Sequence, residues 1–299
     1  MIETAARAFT RLASGVYLEG LAVDHARDLI WYSDVIAGGV HGVRPDGTPV
    51  ASLDPDRRWT GGLLVNGDGA VLATGEGGIK WLDPDSGQSG WLLDAIDGKP
   101  IAGINEMVPD GRGGIFFGTI DMERVIAGEE PRPVAIYRLT AEREVVLLAD
   151  GIGFTNGLMY DAQRARFYCN DTFRRAWAFD VGPDLMLSNQ RSVCEKEDVD
   201  GMTLDAEGNL WITGFRSGHV ERIAPDGTVL PRFATPAGAI TQLRFGGADM
   251  RDIYFTAVPS DGGDTLKEGG EITEANSHLY HCRSDIAGTK FAPPTFRLV

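Results

Sequence analysis

The sequence predicts an all-β protein, a six-bladed β-propeller with a metal site on its central axis. Three observations carry this reading. Short apolar runs alternate with Asp-Gly turns, one strand-turn-strand pattern recurs along the chain, and one position of that pattern is mostly polar. The chain holds 39 glycines, and turns such as Pro45-Asp46-Gly47, Asp110-Gly111 and Pro225-Asp226-Gly227 are hairpin chemistry. Few windows show the 3.6-residue apolar period of a helix.

The recurring pattern is one variable residue, a short apolar stretch, a turn, and a second apolar or aromatic stretch. Its copies begin at Glu19 (EGLAVDHARDLIWYSD), Gly61 (GGLLVNGDGAVLATGE), Asn105 (NEMVPDGRGGIFFGTID), Asn156 (NGLMYDAQRARFYCND), Asp200 (DGMTLDAEGNLWITGF) and Thr241 (TQLRFGGADMRDIYFTA). The intervals are 42, 44, 51, 44 and 41 residues. A further strand pair follows the copies, as at 78–88, 135–142, 175–184 and 219–229. Four short strands in about 40 to 50 residues is the size of a propeller blade. Six such units use residues 1–299 as a single domain, a size that one all-β unit can reach. The run Ala8 to Leu12 is expected to supply the outer strand of the blade that begins near Thr241, closing the ring.

The first strand of every blade lines the central channel, so the leading residues form a ring: Glu19, Gly61, Asn105, Asn156, Asp200 and Thr241. Glu19 and Asp200 repel each other across a narrow channel, and no Lys or Arg stands at any of the six positions. Burying two carboxylates without a counter-charge is costly. A divalent cation removes that cost, and the two Asn carbonyl oxygens extend an all-oxygen donor set. Hard oxygen donors favour calcium, magnesium or manganese over zinc. The competing reading is a wet channel whose polar side chains only bind water.

Composition narrows the partners. With 28 Lys and Arg against 43 Asp and Glu, the net charge is −15. Nucleic acid and anionic membrane surfaces need basic faces, so neither is expected. The N-terminal MIETAARAFTRLASGVY has no apolar core of a signal peptide, and no stretch approaches the ~20 apolar residues of a membrane helix. The expectation is a cytoplasmic monomer. Cys169, Cys194 and Cys282 match no zinc spacing and read as reduced structural thiols. None of His25, His41, His219, His278 and His281 falls on the ring. No Gly-x-Ser-x-Gly elbow is present, which speaks against a serine hydrolase.

At the ring residues the sequence resembles the regucalcin, gluconolactonase and luciferin-regenerating-enzyme family of six-bladed propellers. The segments that carry the resemblance are LEGLAVD (18–24), INEMVPDGRGGIFFGT (104–119), TNGLMYD (155–161), DVDGMTLDAEGNLWITG (198–214) and LRFGGADMRDIYFTA (243–257). It implies one divalent metal held by Glu19, Asn156 and Asp200, with Asn105 near metal and substrate. Calcium is the first expectation, with zinc, manganese, magnesium or iron(II) as alternatives. It also implies the opening of a small lactone, with Asp200 as base and Asn105 orienting substrate or water. Where family sugar lactonases often carry an Arg two residues before the substrate Asn, this chain has Gly103, followed by Ile104. Glu106 replaces the more usual Asp. Gly103, Ile104, Asn105 and Glu106 are therefore expected to line the substrate side of a less polar site. The alternative function is a non-catalytic metal- or ligand-binding propeller, a sensor or scaffold. Two insertions, 122–133 and 260–276, are candidate lids over the channel mouth.

Overall fold

Residues 8–130 and 132–298 are described by the computed structural model. Residues 1–7 and 299 of the expected single domain, and Pro131 of the first insertion, lie outside the described residues. Among the described residues the fold is all-β with two short helices.

The chain opens with β1 (Thr10–Gly15) and then forms consecutive four-stranded antiparallel meanders. The first comprises β2 (Leu18–Asp24), β3 (Leu29–Asp34), β4 (Val40–Val43) and β5 (Pro49–Leu53). Next come β6 (Thr60–Val65), β7 (Val71–Glu76), β8 (Ile79–Leu82) and β9 (Ser89–Leu93). A small hairpin, β10 (Ala95–Ile96) and β11 (Lys99–Pro100), leads into β12 (Gly103–Pro109), β13 (Ile115–Thr119), β14 (Val134–Leu139) and β15 (Val145–Ile152). There follow β16 (Thr155–Asp161), β17 (Arg166–Asp171), β18 (Arg175–Val181) and β19 (Leu187–Cys194). The next meander is β20 (Val199–Leu204), β21 (Leu210–Gly214), β22 (His219–Ile223) and β23 (Val229–Ala234). The last three strands are β24 (Ala239–Gly246), β25 (Asp252–Val258) and β26 (Ser277–Arg283).

The final meander takes its fourth strand from the other end of the chain. In β1, Thr10 pairs with His281 and Arg11 with Tyr280, as the ring-closure expectation requires, and the pairing runs on to Gly15 against Ser277. The first strands of successive meanders pack side by side, β2 on β6, β6 on β12, β12 on β16, β16 on β20, β20 on β24, and β24 back on β2. That circuit leaves an axial space bounded by first strands. The apolar core lies between the sheets, where Trp31, Phe116, Phe117, Phe167 and Trp211 are almost completely buried.

Two devices bring the leading residues to the axis. Every first strand breaks register with its second strand at the leading residue: between Leu18 and Leu21, Thr60 and Leu63, Ile104 and Glu106, Thr155 and Leu158, Val199 and Met202, and Ile240 and Gln242. A bulge re-aims a side chain that regular pleating would place on a sheet face. A belt of second-strand side chains then fixes the carbonyl of the next leading residue. Ser33 Oγ donates to Gly61 O (2.9 Å), Thr74 Oγ1 to Asn105 O (2.7 Å), and Asn170 Nδ2 to Asp200 O (2.6 Å). Thr213 Oγ1 donates to Thr241 O (2.9 Å) and Thr256 Oγ1 to Glu19 O (3.0 Å). The step to Asn156 differs. There Gly118 leaves room for Thr155, since a Cβ on Gly118 would stand 2.5 Å from Thr155 Oγ1.

The chain end crosses the far mouth of the axial space. Thr289 N donates to Leu204 O, Gly67 N to Pro294 O, and Phe296 N to Asn66 Oδ1 (3.0 Å). Phe296, 3% exposed, joins the cluster around Ile115, Phe117 and Leu139. Phe296→Ala is expected to cost ~3–5 kcal/mol, measured by denaturant unfolding, because it empties a packed site. A cost near zero would show that the strap is not packed as described.

Cys169 and Cys282 are buried free thiols and Cys194 is a half-buried one. Burial raises the Cys169 thiol well above its ordinary pKa, which suits a structural thiol rather than a nucleophile. Among the described residues no helix is long and apolar enough to cross a membrane.

Candidate active site

A cavity of about 130 Å³ sits at one mouth of the axial space. Glu19, Gly61, Asn105, Asn156 and Asp200 all line it. Thr241 does not. Its hydroxyl bonds Leu18 O at 2.7 Å and Thr256 Oγ1 at 2.9 Å, so it joins the last meander to the first. Gly61 is small for a local reason. A Cβ there would meet Asn105 O at 2.5 Å and Asn105 Oδ1 at 3.3 Å. Asn105 Nδ2 donates to Thr155 O at 3.1 Å, which fixes the amide of this lining residue.

The two carboxylates define the electrostatics. Asp200 lies within hydrogen-bonding reach of both Glu19 and Asn156. Burial, then the charge of Glu106, pushes the Glu19 carboxyl up to about 8, although its bond to Asp200 opposes this. Burial, then the charge of Glu19, raises Asp200 well above the ordinary carboxylate range. Asp200 Oδ1 is buried with no hydrogen-bond partner. Among the described residues no Lys or Arg lines the cavity. An apposed buried carboxyl pair with an unsatisfied oxygen and no protein cation fits a divalent ion held by Glu19, Asp200 and the Asn156 carbonyl. Nor do the described residues hold a cluster of three or more His, Cys, Asp and Glu that could bind a metal, so a site here depends on the amide.

Two expected substrate positions fall elsewhere. Glu106 is absent from the cavity wall and lies one layer along the axis, accepting from Gln242 Nε2 at 2.5 Å and Arg244 Nη2 at 3.2 Å. The residue after each bulged position is Gly20, Gly62, Gly157 and Gly201 in four meanders: at Gly20 and Gly157 the next first strand's backbone comes close, and the space at Gly62 and Gly201 holds the long side chains of Glu106 and Gln242. A Cβ on Gly62 would stand 2.1 Å from Glu106 Oε1, and one on Gly201 2.4 Å from Gln242 Oε1. Gly103 likewise gives up its place on the wall. A Cβ there would meet Met122 Cβ at 2.9 Å, and it is Met122 and Ile104 that face the cavity.

Both insertions roof the cavity. The first folds into α1 (Met122–Ile126) and the second into α2 (Gly262–Lys267), and the two helices touch. Beyond them Gly128 and Gly269 meet so closely that a Cβ on Gly128 would stand 2.8 Å from Gly269 N. Arg216 Nε donates to Asp264 Oδ1 at 2.9 Å and Oδ2 at 2.8 Å, tying α2 to the loop after β21. Phe154 and Phe173 complete the wall from inter-strand loops that the repeat pattern does not mark, together with Phe215, the last residue of the copy that begins at Asp200.

A closed circuit of sheets with convergent polar groups at the floor of an axial cavity defines a small-molecule site. The chain belongs to the SMP-30/Gluconolactonase/LRE-like family, whose model matches residues 18–259. It is 29% identical over 277 residues to a pentonolactonase of Haloferax volcanii, covering 90% of this chain and 89% of the relative. It is 27% identical over 240 residues to a 6-deoxy-6-sulfogluconolactonase of Pseudomonas putida, covering 77% and 79%. Its fold matches the crystal structure of a calcium-binding protein, regucalcin, from Agrobacterium tumefaciens with a TM-score of 0.79 at 19% identity, covering 98% of both chains.

Proposed function

We propose that the protein is a single-domain six-bladed β-propeller that holds one divalent metal ion on its axis and hydrolyses a small lactone to the hydroxy acid. The substrate class at this level is a sugar lactone or a less hydroxylated γ- or δ-lactone. The meanders are the blades, and Glu19, Asn156 and Asp200 are the metal ligands. The observation that carries the reading is the apposed pair Glu19 and Asp200 at the floor of the cavity, with Asp200 Oδ1 unsatisfied and no Lys or Arg on the wall among the described residues. The two lactonase relatives support the reaction, and the calcium-binding structural relative supports calcium as the ion.

Held by Glu19, Asn156 and Asp200, a divalent ion would supply Lewis-acid polarisation of the lactone carbonyl and stabilisation of the charge that develops on it. As a carboxylate, Asp200 accepts the proton of the attacking water. The water oxygen bonds the carbonyl carbon, the ring C–O bond breaks, and the ring oxygen leaves as an alcohol on taking the proton that Asp200 accepted. Asn105, its Nδ2 held by Thr155 O, orients the water or substrate. The roof formed by α1 and α2 limits bulk water.

The test is a pH-drop assay on sugar and aliphatic lactones, run after chelation and again with calcium, zinc, manganese, magnesium or iron(II). Metal-dependent hydrolysis is expected. No hydrolysis with any metal in folded protein would transfer the site to the binding-protein reading.

A further inference from the structure

The wall above the carboxylates is built almost wholly from carbon. Phe154 and Phe173 meet edge to face at 6.0 Å, and Phe173 and Phe215 at 5.6 Å, forming a continuous aromatic side. Met122 and Val125 from α1 and Leu266 from α2 supply the roof. Three of the polar side chains on the wall are engaged, and the Tyr17 phenol and Trp59 indole line it beside them. Thr172 Oγ1 donates to Val199 O at 2.8 Å, Asn105 Nδ2 to Thr155 O, and Glu129 at the rim pairs with Arg124. What stays open is the floor, where the reacting ester must sit.

Two of the aromatic lining residues hold unusual backbone. Trp59 has φ +55° and Phe173 φ +71°, the left-handed region that bulky side chains avoid. Such conformations persist where the surroundings fix them, and they gather at ligand sites. Each is pinned by its neighbours: Trp59 N donates to Val35 O at 2.7 Å and Phe173 N to Glu197 O at 2.7 Å. The rings are therefore placed against the cavity at a local conformational cost.

We propose that the site selects a small monocyclic γ- or δ-lactone whose ring carries hydrogen or carbon substituents rather than several hydroxyls, with the α1–α2 roof and the Phe154–Phe173–Phe215 wall as the selecting surface. This rests on the lactonase reading for the ester but not for the shape and polarity of the ligand. Beyond the Tyr17 phenol and the Trp59 indole, the hydroxyls of a sugar lactone would face phenyl, thioether and alkyl groups, and several would lose their water without replacement partners. Size agrees, because an apolar cavity of roughly 150 Å³ holds a benzene-sized guest.

The experiment uses two lactams, which resist hydrolysis, so that binding is read apart from turnover. Calorimetric titration of the calcium-supplemented protein compares δ-valerolactam with the polyhydroxylated glucono-δ-lactam. The alkyl lactam is expected to bind at least about tenfold more tightly, since burying several unpaired hydroxyls opposes the sugar analogue. Val125→Asn and Leu266→Asn, one on each side of the roof, should each narrow that ratio while leaving the melting temperature within a few degrees. Equal or tighter binding of the glucono-lactam overturns the proposal, as does binding of neither lactam. Selective binding of the alkyl lactam by a protein that hydrolyses no lactone would uphold the ligand class and remove the lactonase reading.

Discussion

Asp200→Asn is expected to lower lactone turnover by about a thousandfold or more, the size of effect seen when a group acting directly on the reacting atoms is removed. The amide keeps the shape and can keep the contact with Asn156. It removes the negative charge that a cation needs and the carboxylate lone pair basic enough to take a water proton. The metal-free variant should also be more stable than the metal-free parent, because one of two mutually repelling buried carboxyls has gone. The two readouts thus move in opposite directions, which a merely misfolded variant cannot mimic. Full activity would remove Asp200 from the base role. Lost activity with lost stability would mark it as structural. Rescue by raised calcium would assign it to metal affinity rather than proton transfer.

The leading residues of the repeat were legible in the sequence because side chains at equivalent positions of a cyclic repeat converge. Glu19, Asn105, Asn156 and Asp200 could be named together without knowing any angle. The closing strand was legible for the same reason, since a circuit of four-stranded units must find its last strand, and Thr10 and Arg11 do pair with β26. The bulges were not. A two-residue alternation predicts which face a side chain takes in a regular strand, and every leading residue sits where that alternation breaks. Glu106 shows the cost of reading by adjacency. It follows Asn105 in sequence, but the bulge sends the two side chains to different layers of the axis, and Gln242 and Arg244 capture the carboxylate. A signal was available in Gly62 and Gly201, which vacate the places that Glu106 and Gln242 fill. The belt also left a trace, as Ser33, Thr74, Thr213 and Thr256 recur in otherwise apolar second strands. The aromatic wall left none. Trp59, Phe154 and Phe173 come from loops outside the repeat, Phe215 only ends the copy that begins at Asp200, and their convergence depends on backbone conformation.

Chelated protein should lose stability as pH rises from about 5.5 to about 8, and a divalent cation should restore it most at the upper end. The direction follows from Glu19. Its folded value of about 8 lies above its ordinary 4.5, so the folded state binds a proton that the unfolded chain releases first. Such a group stabilises the fold fully below the unfolded value, and the contribution is lost as pH rises to the folded one. Asp200, also raised by burial and by Glu19, acts in the same direction. Each tenfold difference in proton affinity between the folded and unfolded chain is worth about 1.4 kcal/mol, so a few kcal/mol are at stake across that window. That corresponds to a fall of roughly 5–10 °C in melting temperature for a chain of this size. Glu19→Gln isolates the contribution from every other titrating group: its metal-free melting temperature should change far less with pH over the same range. Calcium should raise the parent's melting temperature at pH 8, by binding the folded state alone, and should do so much less in Glu19→Gln. Matching pH profiles in parent and variant would mean that Glu19 is not held as a buried, raised acid. Equal calcium shifts in the two proteins would place the ion somewhere other than between Glu19, Asn156 and Asp200.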